Sequence, residues 1–139
     1  MFQGTDEYIS IINDIFPYLV NYQSKELRSS GILDYWMDMA LEQGGLDQQH
    51  SADEKISAIT LLTDIWLTFT DIVDQKPDRV NFILQVLKKA GRDRLRSLRI
   101  VAVSLMFRLL DKFAEEKNTA APAIYKALIF SLIENPGDI

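Results

Sequence analysis

Apolar residues recur along this chain at steps of three and four, and that period predicts helices from one end to the other. Over residues 5–22, Tyr8, Ile11, Ile12, Ile15, Phe16 and Leu19 form one stripe. Pro17 is expected to kink it or start a new turn. A second helix is expected over residues 25–43. It has a weak point at Ser29, Ser30 and Gly31, an apolar face of Tyr35, Trp36, Met39 and Ala40, and a stop at Gly44 and Gly45. Ser51 and Glu54 have the spacing of a capping box, so a third helix should begin there and run to about Val73 through Ile56, Ile59, Leu62, Ile65, Trp66, Phe69 and Ile72. Pro77 suits the first turn of a fourth, where no backbone donor is needed; Val80, Ile83, Leu84 and Leu87 are its apolar face and Gly91 its stop. A fifth is expected over residues 92–117, apolar nearly all round its middle and therefore packed between neighbours. A sixth is expected over residues 119–134. No segment alternates with the period of a half-buried strand, so the fold class expected is all-α with about six helices.

Composition narrows the class. Hydrophobic residues are 47% of the chain and charged residues 25%, a balance that can fill a core and argues against disorder. No apolar run approaches the ~18 residues of a membrane span. The opening residues lack the basic stretch of a signal peptide. There is no cysteine, which removes disulfides and thiolate metal sites. These features together lead to the expectation of a cytoplasmic protein without a transmembrane segment. The net charge of −5 hides an asymmetry: residues 1–75 carry three bases against thirteen acids, and residues 76–139 carry twelve against seven. A field with this direction bears on partners.

The chain also repeats itself. A shift of 45 residues lays Pro77 on Pro122, Ile83 on Leu128, Leu87 on Leu132 and Asp93 on Asp138. A shift of 39 lays Ile59 on Leu98, Leu62 on Val101 and Trp66 on Leu105. Residues 77–114 resemble one HEAT repeat of the HEAT/armadillo family: a helix, a short Gly turn, Asp93, and six residues later Arg99 after Leu98. The resemblance implies antiparallel helix hairpins stacked as a short right-handed superhelix. It also implies that Asp93 and Arg99 tie successive repeats together. Residues 1–139 would form one helical-repeat domain, in the reading of a piece of a longer solenoid, with the last unit reaching its second helix at Asp138. The sixth helix would then expose an apolar flank of Ile124, Leu128, Ile129, Leu132 and Ile133, open to self-association. A compact six-helix bundle of VHS-like type is the alternative.

Candidate chemistry is sparse. His50 is the only histidine, Gly44 and Gly45 read as a helix stop, and no phosphate-binding glycine motif occurs. Trp36, Trp66 and Phe69 fall at helical spacing and read as core. The expectation is a non-catalytic protein without cofactor or metal. The one unusual cluster is Lys88, Lys89, Arg92, Arg94 and Arg96, which surrounds the turn after the fourth helix. It reads either as a solvated turn or as a docking edge for an acidic protein or peptide. The acidic pI and the lack of interleaved aromatics argue against nucleic acid. If the second helix of each pair lines a concave face, Thr60, Thr63, Thr68, Ser104 and Arg108 are further candidate contacts. Two functions stand open: a scaffold that binds a protein partner, or a structural element of a larger assembly.

Overall fold

The computed structural model describes residues 31–44 and 51–138, which form six helices and a closing 3-10 turn. Helix α1 is Ile32–Gly44, α2 Ala52–Thr68, α3 Thr70–Asp74, α4 Pro77–Ala90, α5 Arg96–Glu115 and α6 Ala121–Glu134, followed by the turn Pro136–Asp138. No strand occurs among the described residues, and no helix among them is long and apolar enough to cross a membrane. The stripe expected over residues 5–22, and His50, lie outside the described residues.

The local signals in the sequence explain most boundaries. The Ser51 hydroxyl accepts from the Glu54 backbone N–H at 3.2 Å and opens α2. Pro77 occupies the first turn of α4. Three boundaries differ from expectation. The third predicted helix breaks at Phe69 into α2 and α3. There the carbonyl of Leu67 accepts from Lys112 Nζ, and the Thr70 hydroxyl binds the carbonyl of Trp66 at 2.8 Å. Side chains therefore take up backbone oxygens at the end of α2. The fifth helix starts at Arg96 rather than 92, because the Asp93 carboxylate accepts from Leu95 N–H at 2.9 Å and folds residues 91–95 into a turn. The sixth helix starts at Ala121, after Asn118 Oδ1 accepts from Ala120 N–H at 2.8 Å.

One continuous core links these helices. Trp66, Phe69 and Phe113 are among its largest fully buried side chains. Trp66 and Phe113 meet edge to face with centroids 4.9 Å apart. The Trp66 indole N–H is satisfied by Asp74 Oδ1 at 3.0 Å, and Asp74 Oδ2 accepts from Asn118 Nδ2 at 2.9 Å. One carboxylate thus joins α2, α3 and the α5–α6 turn. Helix α2 packs on α1 and α5; α5 packs on α2, α4 and α6; α4 touches α1 and α6. The starts of α1 and α4 are joined by Asp34 and Arg79, and the ends of α4 and α6 by Gly91 and Ser131.

The apolar flank expected on α6 is only partly right. Ile124 and Leu128 are buried and Leu132 is half-buried, while Tyr125 and Phe130 join Ile129 and Ile133 in the solvent. The helix is apolar on both sides, so period alone does not tell the face that packs inward from the face left in the solvent.

Gly91 has a role beyond ending α4. Its φ of −67° is ordinary helical backbone, so the turn does not need glycine for its conformation. The need is space: a Cβ there would lie 3.1 Å from Ser131 Oγ, 3.2 Å from Met106 Cε and 3.3 Å from Ser131 Cβ. The Ser131 hydroxyl itself donates to the Gly91 carbonyl at 2.5 Å. Gly91→Ala should therefore push α6 away from the turn and destabilise the protein by about 1–3 kcal/mol, the range of overpacked sites. Chemical denaturation checks it; an unchanged midpoint would show that α6 is not held closely at this turn.

Candidate functional site

The turn between α4 and α5 gathers the basic residues singled out in the sequence, and the structure divides them into two groups. Arg92, Arg96 and Arg99 are engaged with the end of α6 and the turn after it. Arg92 grips Glu134 with two nitrogens, at 2.7 and 2.9 Å. Arg96 reaches the Gly137 carbonyl at 3.3 Å and the Asp138 carboxylate at 3.5 Å. Arg99 binds both Asp138 oxygens, at 2.8 and 3.3 Å, and the carbonyls of Asp93 and Arg94 at 2.9 and 3.1 Å. Its guanidinium fork thus fixes the turn and grips a second element at once. Lys88, Lys89 and Arg94 form the second group: all three are exposed, with no ion-pair partner among the described residues.

Asp93 and Arg99 were paired in expectation as stacking residues. Arg99 makes the long-range contact, but its carboxylate partner is Asp138. The Asp93 carboxylate serves its own turn, and only its carbonyl meets Arg99.

Similar ties occur elsewhere at nearly constant sequence separation. Asp34 binds Lys76 and Arg79, and Asp38 binds Arg79, across separations of 42, 45 and 41 residues. Asp64 binds Arg108 at 44 and Asn118 binds Asp74 at 44. The Lys112–Leu67 contact spans 45 and the Ser131–Gly91 contact 40. Arg79 was missed in the sequence. Its signal was the pair Asp34 and Asp38, one helical turn apart on one face of α1 and matched to a base at the start of α4. Four of these ties set an acid of the first half, Asp34, Asp38 or Asp64, against a base of the second, Lys76, Arg79 or Arg108, so part of the charge asymmetry is used within the chain.

These contacts move two carboxyls in the same direction. A hydrogen bond from Lys76 holds Asp34 below its ordinary value of 3.8, with Arg79 adding to it against partial burial. A hydrogen bond from Arg99 does the same to Asp138 and raises the Arg99 guanidinium in turn.

The candidate contacts on the second helices separate as well. Thr68 and Ser104 are exposed, and Arg108 is exposed but paired with Asp64. Thr60 is half-buried with its hydroxyl on the Ile56 carbonyl at 2.7 Å. Thr63 is fully buried, which corrects its placement on a surface. Trp36, Trp66 and Phe69 are buried in the core. An open groove of about 640 Å³ lies between α1 and the start of α4, lined by Leu41, Pro77 and Phe82 with Asp38, Lys76 and Arg79 at its polar margin. Among the described residues no three of His, Asp and Glu are grouped to hold a metal ion. Compared with known proteins, the chain matches no family model, no curated protein and no solved structure.

The depressed carboxyls set the sign of the pH dependence. Their folded pKa values lie below the unfolded ones, so they stabilise the fold fully above the unfolded value. That contribution disappears as pH falls through the folded values, below 3.8. The melting temperature should accordingly fall as pH drops below about 4. Asp138→Asn should melt lower than the parent at neutral pH and lose less on acidification. Equal melting temperatures at neutral pH would show that this carboxylate does not hold the fold.

Proposed function

We propose that this chain is a non-catalytic interaction module of HEAT/armadillo-like type that docks an acidic protein or peptide on the edge formed by Lys88, Lys89 and Arg94. The stacking half of this reading is supported by the recurrence of side-chain ties at separations of 39–45 residues. HEAT and armadillo units are about 40–47 residues long, and in a stack each unit contacts its neighbours, so ties between units fall about one unit length apart. The contacts α1–α4–α6 and α2–α5 fit two rows of helices on the same plan.

The docking half is carried by one observation. Within a cluster whose other members are held by carboxylates, three cations project with no partner among the described residues. Lys88 and Lys89 close the last turn of α4, where bases complement the helix dipole. That placement accounts for their presence on the helix and leaves Arg94, in the turn, without such a reason. A carboxylate-rich ligand would meet three cations on one edge, with Arg94 able to bind bidentately.

A glutamate-rich peptide is the direct probe. Binding should weaken steeply as salt rises from about 0.05 M to 0.5 M, since screening shortens the reach of exposed charges. Lys88→Gln, Lys89→Gln and Arg94→Gln together should abolish it and leave the protein folded, with the melting temperature lowered by only a few degrees through the lost charges at the end of α4. Peptide binding that ignores both the salt and the triple substitution would contradict the basic edge as a docking site.

A further inference from the structure

Helix α6 buries Ile124, Leu128 and Ser131 and turns a second apolar face to the solvent. Tyr125 is 58% exposed, Ile129 36%, Phe130 42% and Ile133 69%. These four side chains leave on the order of 400 Å² in water, within the range of the largest apolar patch on a typical monomer, which is often functional. Only two charges interrupt the face, Lys126 and Glu134. They are opposite in sign and lie four residues to either side of Phe130, so all three share one stripe about 12 Å long. Lys126 Nζ sits 5.9 Å from the Phe130 ring. Glu134 is held by Arg92, with each carboxylate oxygen accepting once and keeping capacity for another donor.

We propose that this face binds a second copy of the chain, with the two α6 helices antiparallel about a two-fold axis through Phe130. A face with one cation and one anion equidistant from its centre is complementary to itself when reversed. The axis sets each Lys126 opposite the other copy's Glu134 and stacks the two Phe130 rings. At the usual helix spacing of about 8–10 Å, both long side chains reach. Ile133 closes against the reversed helix beside Phe130, Ile129 lies at the margin of the contact, and Tyr125 is turned away from it, since they sit about 60°, 100° and 140° round the helix from Phe130. Parallel pairing would set Lys126 against Lys126 and Glu134 against Glu134. The contact buries less than the about 1,000 Å² that a stable specific interface needs, so the dimer is a weak one that forms only as concentration rises. The proposal does not rest on the docking reading, although Glu134 is tied to Arg92 in the turn that carries the basic edge.

Analytical ultracentrifugation of the full chain tests the geometry. The parent should show a concentration-dependent monomer–dimer equilibrium. Ile133→Asp, at an exposed position, should abolish it with the melting temperature unchanged. Lys126→Glu should raise the dissociation constant by about tenfold or more with the melting temperature unchanged, because like charges then face each other. Glu134→Lys also breaks the Arg92 pair, so it should weaken association well beyond Glu134→Gln, which loses that pair without adding a like charge. Mixing Lys126→Glu with Glu134→Lys should restore association, since both cross-pairs become opposite in sign. The chain has no cysteine, so Phe130→Cys gives a clean reporter that should oxidise to a disulfide-linked dimer, while Ser104→Cys should not. A monomer at every concentration overturns the proposal. So does a dimer indifferent to Ile133→Asp, a mixture that stays monomeric, or a head-to-tail polymer in place of a closed pair.

Discussion

The guanidinium of Arg99 is the contact around which the second half of this molecule is organised. It closes the turn between α4 and α5 by binding two of its carbonyls. With its remaining nitrogens it grips Asp138, whose carboxylate is almost wholly covered. A planar fork with five donors can hold a turn and a carboxylate at once, which a lysine ammonium cannot do with the same rigidity. The end of α6 is then fixed on the turn by Gly91, whose missing side chain makes room for Ser131, and by the Arg92–Glu134 pair. A position far along the chain is thereby set by a few residues around one tight turn.

The same device recurs at the other contacts between helices. Asp34 and Asp38 meet Lys76 and Arg79, and Asp64 meets Arg108. Part of the opposition between an acidic first half and a basic second half is therefore used within the chain. Individually, exposed ion pairs contribute little. Their value lies in register: helices packed out of register would strand half-buried Arg79 without its carboxylates. What the internal ties leave over is then informative. Lys88, Lys89 and Arg94 are the excess at one turn, and the apolar outer face of α6 is the excess at another surface.

Over the described residues, helix existence was legible in the sequence because apolar residues keep a period near 3.6, and because Ser51, Pro77 and Gly91 punctuate the chain where helices begin and end. Boundaries were less so. The break at Phe69 depends on Lys112 and Thr70 capturing backbone oxygens, and Lys112 belongs to a helix more than forty residues away. The face of α6 that packs inward was not legible either, since Ile124 and Ile133 look alike to any periodicity. Arg99 could be singled out by its spacing from Asp93, whereas its partnership with Asp138 depends on how the turn folds. The basic cluster was visible as composition, yet its division into tied and free cations is set by where Glu134 and Asp138 come to lie.

The central claim is that Arg99 and Asp138 act as one unit joining helices that are distant in sequence. A double-mutant cycle on Arg99→Ala and Asp138→Asn, read by chemical denaturation, tests it most directly. The predicted result is that each single change destabilises the fold and that the double variant loses clearly less than the two losses combined. Strictly additive losses, or a single change without effect, would contradict it.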